Sequence, residues 1–349
     1  MPHYSPPIMA LGLMFLGAMT CDSPSKKNTY AYDITKEFSL NEVRAKRHMN
    51  AIALTPHPHG SEQQRVVELY ISDFLQNTGI KTITQTFESE VPNPLLLQNP
   101  NLPAPLTIPT KTVNIIAYVG SPKASCVVAL GSHYDSKGGL EALGPGANDS
   151  GSSTVALLEI LQFFNESKAE LQKLPCAFLG IFFDGEEARL PNWDDGMLKH
   201  PAKIIDNRYG SRHLAATLYA CGEAKCFTFD GEQKEFMALV LMDMIGNPNI
   251  ILTNESNSNR RLLELARSFD RNTNTPPLFP ETGWTAVQDD HISFIEAGIP
   301  AINLIDFSNL QHWHKPTDTM EKISYDSISK TSKIAIYLAT TIAANRRLP

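Results

Sequence analysis

Three apolar runs of strand length in this chain stop on acids or imidazoles rather than on ordinary turn residues. "CVVALGS" (126–132) runs into His133 and Asp135, "CAFLGIFF" (176–183) into Asp184, Glu186 and Glu187, and "FMALVLMD" (236–243) ends on Asp243. Short apolar runs rich in β-branched and aromatic residues read as buried strands. "TVNIIAYVG" (112–120) and "PAINLI" (300–305) add two more. Apolar residues recur at helical spacing over 61–78, 150–166, 258–270 and 327–345, with Ser61 followed by Gln64 as one helix start and Ser150 as another. This alternation predicts a single α/β domain with a mostly parallel, twisted central sheet flanked by helices on both faces. Three stretches interrupt it: the proline-rich 91–110 reads as an extended excursion, and 190–210 and 272–288 read as long loops of the kind that shape a site.

In such a sheet the ligand site lies beyond the carboxyl ends of the strands. That edge is where the chain concentrates its acids, and two more candidates join them: Asp149 in the glycine-rich "GPGANDSGSS" and His314 in "QHWHKPTDT". Taken singly, Asp149 reads as a helix cap and His133 as a hydrogen-bonded structural histidine. Taken together, buried carboxylates repel one another unless protons or a cation compensate. A divalent metal supplies that compensation. Oxygen and nitrogen ligands, with no CxxC pair in the chain, suit a catalytic zinc with three protein ligands and an open position. A carboxyl beside such a ligand is placed to carry a proton. Adjacent side chains point apart, so Glu186 and Glu187 do different work.

The 349 residues are 42% hydrophobic and 19% charged, enough for a large core, and the net charge of −7 comes without any Lys/Arg cluster longer than a dipeptide. Nothing marks a nucleic-acid or anionic-membrane surface; the partner is a small or peptidic molecule. The apolar stretch "IMALGLMFLGAMTC" ends at Cys21, too short to span a membrane, and reads as an export signal over 1–21. The placement of Cys21 suggests a bacterial lipoprotein signal, with this cysteine as a lipid anchor and the protein in the periplasm or outer membrane. A linker over 22–34 and a catalytic domain over 35–349 follow. Cys221 and Cys226 bracket a turn and could close a small loop, whereas Cys126 and Cys176 each open a strand and read as buried free thiols.

The strings "HYDS", "GANDSGSSTVALLEI", "FFDGEEA", "LMDMIG", "DDHISFIEAGIPAINLI" and "WHKPTDT", in this order, resemble the zinc-dependent exopeptidase family of co-catalytic aminopeptidases (M28). Within it they most resemble the glutaminyl-peptide cyclotransferases of the animal and bacterial type. Asp289 ahead of Asp290-His291, Trp313 ahead of His314, Trp193 in an excursion before "YGSRHLA", and Lys137 after "HYDS" carry that finer likeness. The resemblance implies one zinc per chain held by Asp149, Glu187 and His314. It implies Glu186 as general acid and base, with Asp243 and Asp289 in a carboxyl network beside it, and Trp193, Trp313 and Gln288 binding substrate. The implied reaction cyclises N-terminal glutamine of peptides to pyroglutamate with release of ammonia, by a monomer. The alternative is a dinuclear zinc aminopeptidase, with His133 and Asp243 on a first zinc, Asp149 bridging, and Glu187 and His314 on a second. A catalytically silent relative would have lost some of these positions, and all are filled.

Overall fold

A computed structural model describes residues 26–139, 144–190 and 202–348. Among them are eight strands: β1 (Lys81–Pro92), β2 (Thr107–Val119), β3 (Cys126–His133), β4 (Cys176–Phe183), β5 (Tyr219–Cys221), β6 (Ala224–Phe229), β7 (Glu232–Asp243) and β8 (Ala301–Ile305). The helices are α1 (Lys26–Glu37), α2 (Glu42–Ile52), α3 (Glu62–Asn77), α4 (Pro94–Gln98), α5 (Ser153–Glu166), α6 (Lys168–Leu171), α7 (Tyr209–Thr217), α8 (Arg260–Thr273), α9 (Asp290–Glu296) and α10 (Tyr325–Asn345).

The expected α/β domain is present, and its sheet is mixed. β4, β3, β7 and β8 run parallel through the centre, while β1 and β2 on one side and β5 and β6 on the other add antiparallel edges. β7 is long enough to serve two neighbours on the edge away from β3. Its first residues pair with β6 and its last five, Leu239–Asp243, with β8. β3, β4, β8 and the last six residues of β7 are fully buried, and their side chains alternate between two cores. Val128, Leu130, Phe178 and Val240 face α5, α8 and α10, whereas Val127, Ala129, Leu179 and Leu239 face α7 and α9. Helices therefore cover both faces, and the acids collect at strand ends.

The helix starts follow local chemistry. Ser61 caps α3 by accepting the Gln64 N–H at 3.0 Å, as its sequence predicts. Ser150 does not start α5, which begins three residues later, at Ser153. The stretch expected as a linker, 22–34, is helical from Lys26 on: Ala31 and Ile34 are buried where α1 lies along α10. The excursion over 91–110 is shorter than expected, because β1 continues to Pro92, Asn93 caps α4, and β2 begins at Thr107.

Cys126 and Cys176 are not free thiols. They stand opposite each other at the start of parallel neighbours β3 and β4, their Cα atoms 4.5 Å apart, and form a disulfide. Two strand-initial cysteines become partners once those strands pair in register, which spacing in the sequence does not reveal. Cys221 and Cys226 also pair, across the β5–β6 turn. The expected signal over 1–21 and Cys21 lie outside the described residues. Among the described residues no helix is long and apolar enough to cross a membrane.

Candidate active site

Four loops bring the acids of the parallel strands' carboxyl edge together. β3 delivers His133; β4 delivers Glu186 and Glu187; β7 delivers Asp243; and the turn before α5 delivers Asp149. Two of the turns depend on glycine. At Gly146 φ is +66° and a Cβ would meet the Asp149 carbonyl oxygen at 2.5 Å, and at Gly185 φ is again +66° with the His59 ring against the backbone.

Asp149 is the hinge of the cluster. Its Oδ1 lies 3.2 Å from His133 Nε2 and its Oδ2 3.4 Å from His314 Nε2. His133 Nε2 is also 3.5 Å from Asp243 Oδ1, and His314 Nε2 is 3.2 Å from Glu187 Oε2. Two triads thus share one carboxylate: His133, Asp149 and Asp243, and Asp149, Glu187 and His314. In each triad one ligand atom per residue lies within 4.8 Å of the others, so either could surround a metal ion. His133 Nε2, His314 Nε2 and Asp243 Oδ1 are buried without a well-directed hydrogen-bond partner, although carboxylate oxygens stand near them. Buried polar atoms aimed at a common centre but not at one another are what a cation would satisfy. The donors are nitrogen and oxygen, the set zinc accepts.

The electrostatics point the same way. Burial alone would depress both histidines, yet the carboxylates around them win. His133 rises well above its ordinary value beside Asp135, Asp149 and Asp243, and His314 rises to about 9 beside Glu187 and Asp149. Burial would raise Asp149, and the two histidines hold it low instead. The carboxylates therefore demand positive charge at this spot, which protons on the histidines or a metal can supply. The nearest lysine contributes part of it: Lys137 Nζ donates to the Ala188 carbonyl and lies 3.8 Å from Glu187 Oε2.

A second group of acids faces the same pocket. Burial pushes Glu186 well above the usual carboxyl range, with Asp289 and Glu187 adding to it, and burial beside Asp243 pushes Asp289 up to about 7. Asp243 rises to about 6, from burial and then from Asp149. Asp289 caps α9, its Oδ1 accepting the Asp290 N–H at 2.6 Å, and its Oδ2 accepts the Asn303 side-chain amide at 2.6 Å. The pocket of about 240 Å³ is walled on its other side by Met244, Val287, Ile305, Phe307 and Trp313, with Gln288 at its rim. Trp313 stacks on the ring of His314 at 3.9 Å and meets Phe307 edge-on. So small a space admits one short side chain rather than a drug-sized ligand.

The structure thus brings Asp149, Glu187, His314, Glu186, Asp243, Asp289, Gln288 and Trp313 to one pocket. Trp193 lies outside the described residues. Asp184 faces away from the pocket and is structural, accepting Gln64 Nε2 at 2.6 Å and the Val113 N–H at 2.7 Å. Two supporting residues, Asp318 and Asn303, had no role assigned from sequence, and a third, Asp135, had only a place beside His133 in the aminopeptidase alternative. Asp135 accepts the N–H groups of Glu186 and Glu187 at 3.1 and 3.2 Å and so sets the turn that separates their side chains. Asp318 accepts the N–H groups of Asn148 and Asp149. Asn303 was visible only as a lone polar residue inside the apolar "PAINLI".

The fold has known counterparts. A crystal structure of a glutaminyl cyclase from an Acidobacteriales bacterium superposes with a TM-score of 0.66 at 23% identity, covering 99% of this chain and 100% of that one. A Zn-dependent exopeptidase from Parabacteroides distasonis does so with a TM-score of 0.66 at 21% identity, covering 86% and 97%. A glutaminyl-peptide cyclotransferase-like protein of the mouse is 29% identical over 242 residues, 65% of this chain and 60% of that protein, so the chain spans under two thirds of this curated relative's length. The model of peptidase family M28 matches residues 114–339, the stretch that runs from β2 through every loop of the acidic edge into α10. With more than half its length in that match, the chain belongs to peptidase family M28.

Proposed function

We propose that this chain is a zinc-dependent glutaminyl-peptide cyclotransferase, closing the N-terminal glutamine of peptides to pyroglutamate with loss of ammonia. One observation carries the reading: a pocket sized for one short side chain sets the Asp149, Glu187 and His314 triad beside a separate acid pair, Glu186 and Asp289. The likeness to the mouse cyclotransferase-like protein supports it.

One zinc held by Asp149, Glu187 and His314 would polarise the substrate's γ-carboxamide. Glu186, whose turn directs it away from Glu187, takes a proton from the α-amine as that nitrogen attacks the carbonyl carbon of the γ-carboxamide. The new C–N bond closes the ring, the old one breaks, and Glu186 returns the proton to the departing nitrogen, which leaves as ammonia. Asp243 and Asp289 keep the carboxyl network beside Glu186 short of full ionisation. Trp313, Gln288 and the apolar wall hold the side chain and exclude water, favouring ring closure over hydrolysis. Trp193 belongs to the same reading as a second aromatic wall.

A dinuclear aminopeptidase is the second reading, favoured by the additional triad His133, Asp149 and Asp243. Incubation with a glutamine-starting peptide separates the two: release of ammonia and a product lighter by one ammonia are expected, with about one zinc per chain. Free amino acids from Ala- or Leu-starting peptides, with two tightly held zincs, would overturn the cyclase reading. We further propose an exported monomer of the bacterial periplasm or outer membrane, lipidated on Cys21. The run before Cys21 supports export, and two disulfides are in keeping with an oxidising compartment.

A further inference from the structure

Glu255 lies in the segment between β7 and α8, has no accessible surface, and does not line the pocket. Its carboxylate is saturated by donors. Oε1 accepts the N–H of Asn257 at 3.0 Å, its side-chain amide at 2.9 Å, and the N–H of Val287 at 3.1 Å. Oε2 accepts the N–H of Ser258 at 2.6 Å, its hydroxyl at 2.8 Å, and His291 Nε2 at 3.1 Å. Two of these contacts are long-range, and they fall two residues before and two residues after Asp289. The same carboxylate reaches Asp289 by another route: Ser258 Oγ accepts the Asn303 N–H at 3.0 Å, and the Asn303 side chain donates to Asp289 Oδ2. The backbone adds a short ladder, Ser256 N–H to the Thr285 carbonyl and Thr285 N–H to the Asn254 carbonyl.

We propose that Glu255 is the positioning residue of the Gln288–Asp289 wall: by holding Val287 and His291 at once it fixes where Asp289 presents its carboxylate to the pocket. The proposal rests on Asp289 acting in the acid pair described above. A carboxylate is required because all six partners are donors, three to each oxygen. An amide would satisfy one oxygen's set and turn its own N–H groups against the other. Misplacement of a reacting group by about 1 Å can cost on the order of a hundredfold in rate, so a wall of irregular backbone needs such a clamp.

The test uses the full chain loaded with zinc, as the parent, Glu255→Gln and Asn257→Ala. Asn257 is exposed and its amide joins Glu255 to the Val287 carbonyl, so its replacement loosens the clamp without opening the core. Zinc content, kcat and KM on whichever N-terminal substrate the parent turns over, and hydrogen exchange of residues 284–291 are measured for each. Glu255→Gln is expected to keep its zinc, lose about tenfold or more chiefly in kcat, and exchange faster over 284–291 than elsewhere; Asn257→Ala is expected to lose about threefold. Folded, zinc-loaded variants with kcat within about twofold of the parent, or with unchanged exchange over 284–291, would overturn the proposal. If Glu255→Gln does not fold, Asn257→Ala decides by the same two criteria. A parent that hydrolyses peptides and releases no ammonia would overturn the cyclase reading alone, because both Glu255 readouts still apply to hydrolysis.

Discussion

Asn303 donates its side-chain amide to Asp289 Oδ2 at 2.6 Å from the middle of a fully buried strand. A polar side chain there is costly unless it is satisfied, and this one spends its donor on an acid of the pocket. Its contact lowers the cost of keeping Asp289 ionised, opposing the burial that pushes Asp289 up to about 7.

Replacing Asn303 with Leu is therefore expected to lower kcat by about tenfold, one lost hydrogen bond to a buried carboxyl. Zinc content should stay unchanged. Asn303→Asp should be worse, since it sets a second carboxyl against Asp289. Kinetics and metal analysis on the purified variants check this, and full activity in Asn303→Leu would show that the contact is structural only.

Glu186 and Glu187 should separate cleanly. Glu186→Gln removes the proton carrier and is expected to cut turnover by about 10²–10⁴-fold while zinc remains bound. Glu187→Gln removes a ligand, so zinc should be lost on dialysis against a mild chelator. The reverse pattern would refute the roles assigned to the pair.

The Arg44–Glu159 pair ties α2 to α5 and gives an acid-dependent stability. Arg44 Nε and Nη2 grip Glu159 at 2.6 and 2.8 Å. Burial would raise the Glu159 carboxyl, but His48 and Arg44 hold it below its usual value. A depressed carboxyl contributes stability that is present above the unfolded value, about 4.3, and lost as the pH falls through the lower folded one. Arg44→Met is expected to cost about 2 kcal/mol at pH 7, less than a fully buried pair because the Arg44 side chain is 26% exposed. Urea unfolding should show the difference from the parent holding down to about pH 5 and shrinking below about pH 4.

The Cys126–Cys176 disulfide closes a loop with a sequence separation of 50, for which chain entropy gives about 4 kcal/mol. The double variant Cys126→Ala, Cys176→Ala should lose close to that amount by denaturant unfolding. Cys221–Cys226, with a separation of 5, should contribute about half as much, about 2 kcal/mol. Peptide mapping without reduction should recover both linked pairs, and free thiol at Cys126 or Cys176 would contradict the pairing.

Much of the fold is legible in the sequence. Apolar runs that end on His133, Glu186 and Asp243 can be buried only as central strands, and because strands deliver their next residues to one edge, the acids had to converge there. Ser61 predicted the start of α3 because a cap is a local interaction. Edge strand β1 escaped notice, since a half-exposed strand lacks the continuous apolar signature of a buried one. Long-range pairings stayed hidden for a different reason. Cys126 meets Cys176, Glu255 meets Val287 and His291, and Asn303 meets Asp289 across 14 to 50 residues, through the register and loop packing of the folded chain. The residues available for chemistry are thus a property of the sequence. Which carboxylates share a centre, and what holds each in place, was decided only when the sheet assembled and burial drove most polar atoms to find partners, leaving several unsatisfied ones gathered at the acidic edge.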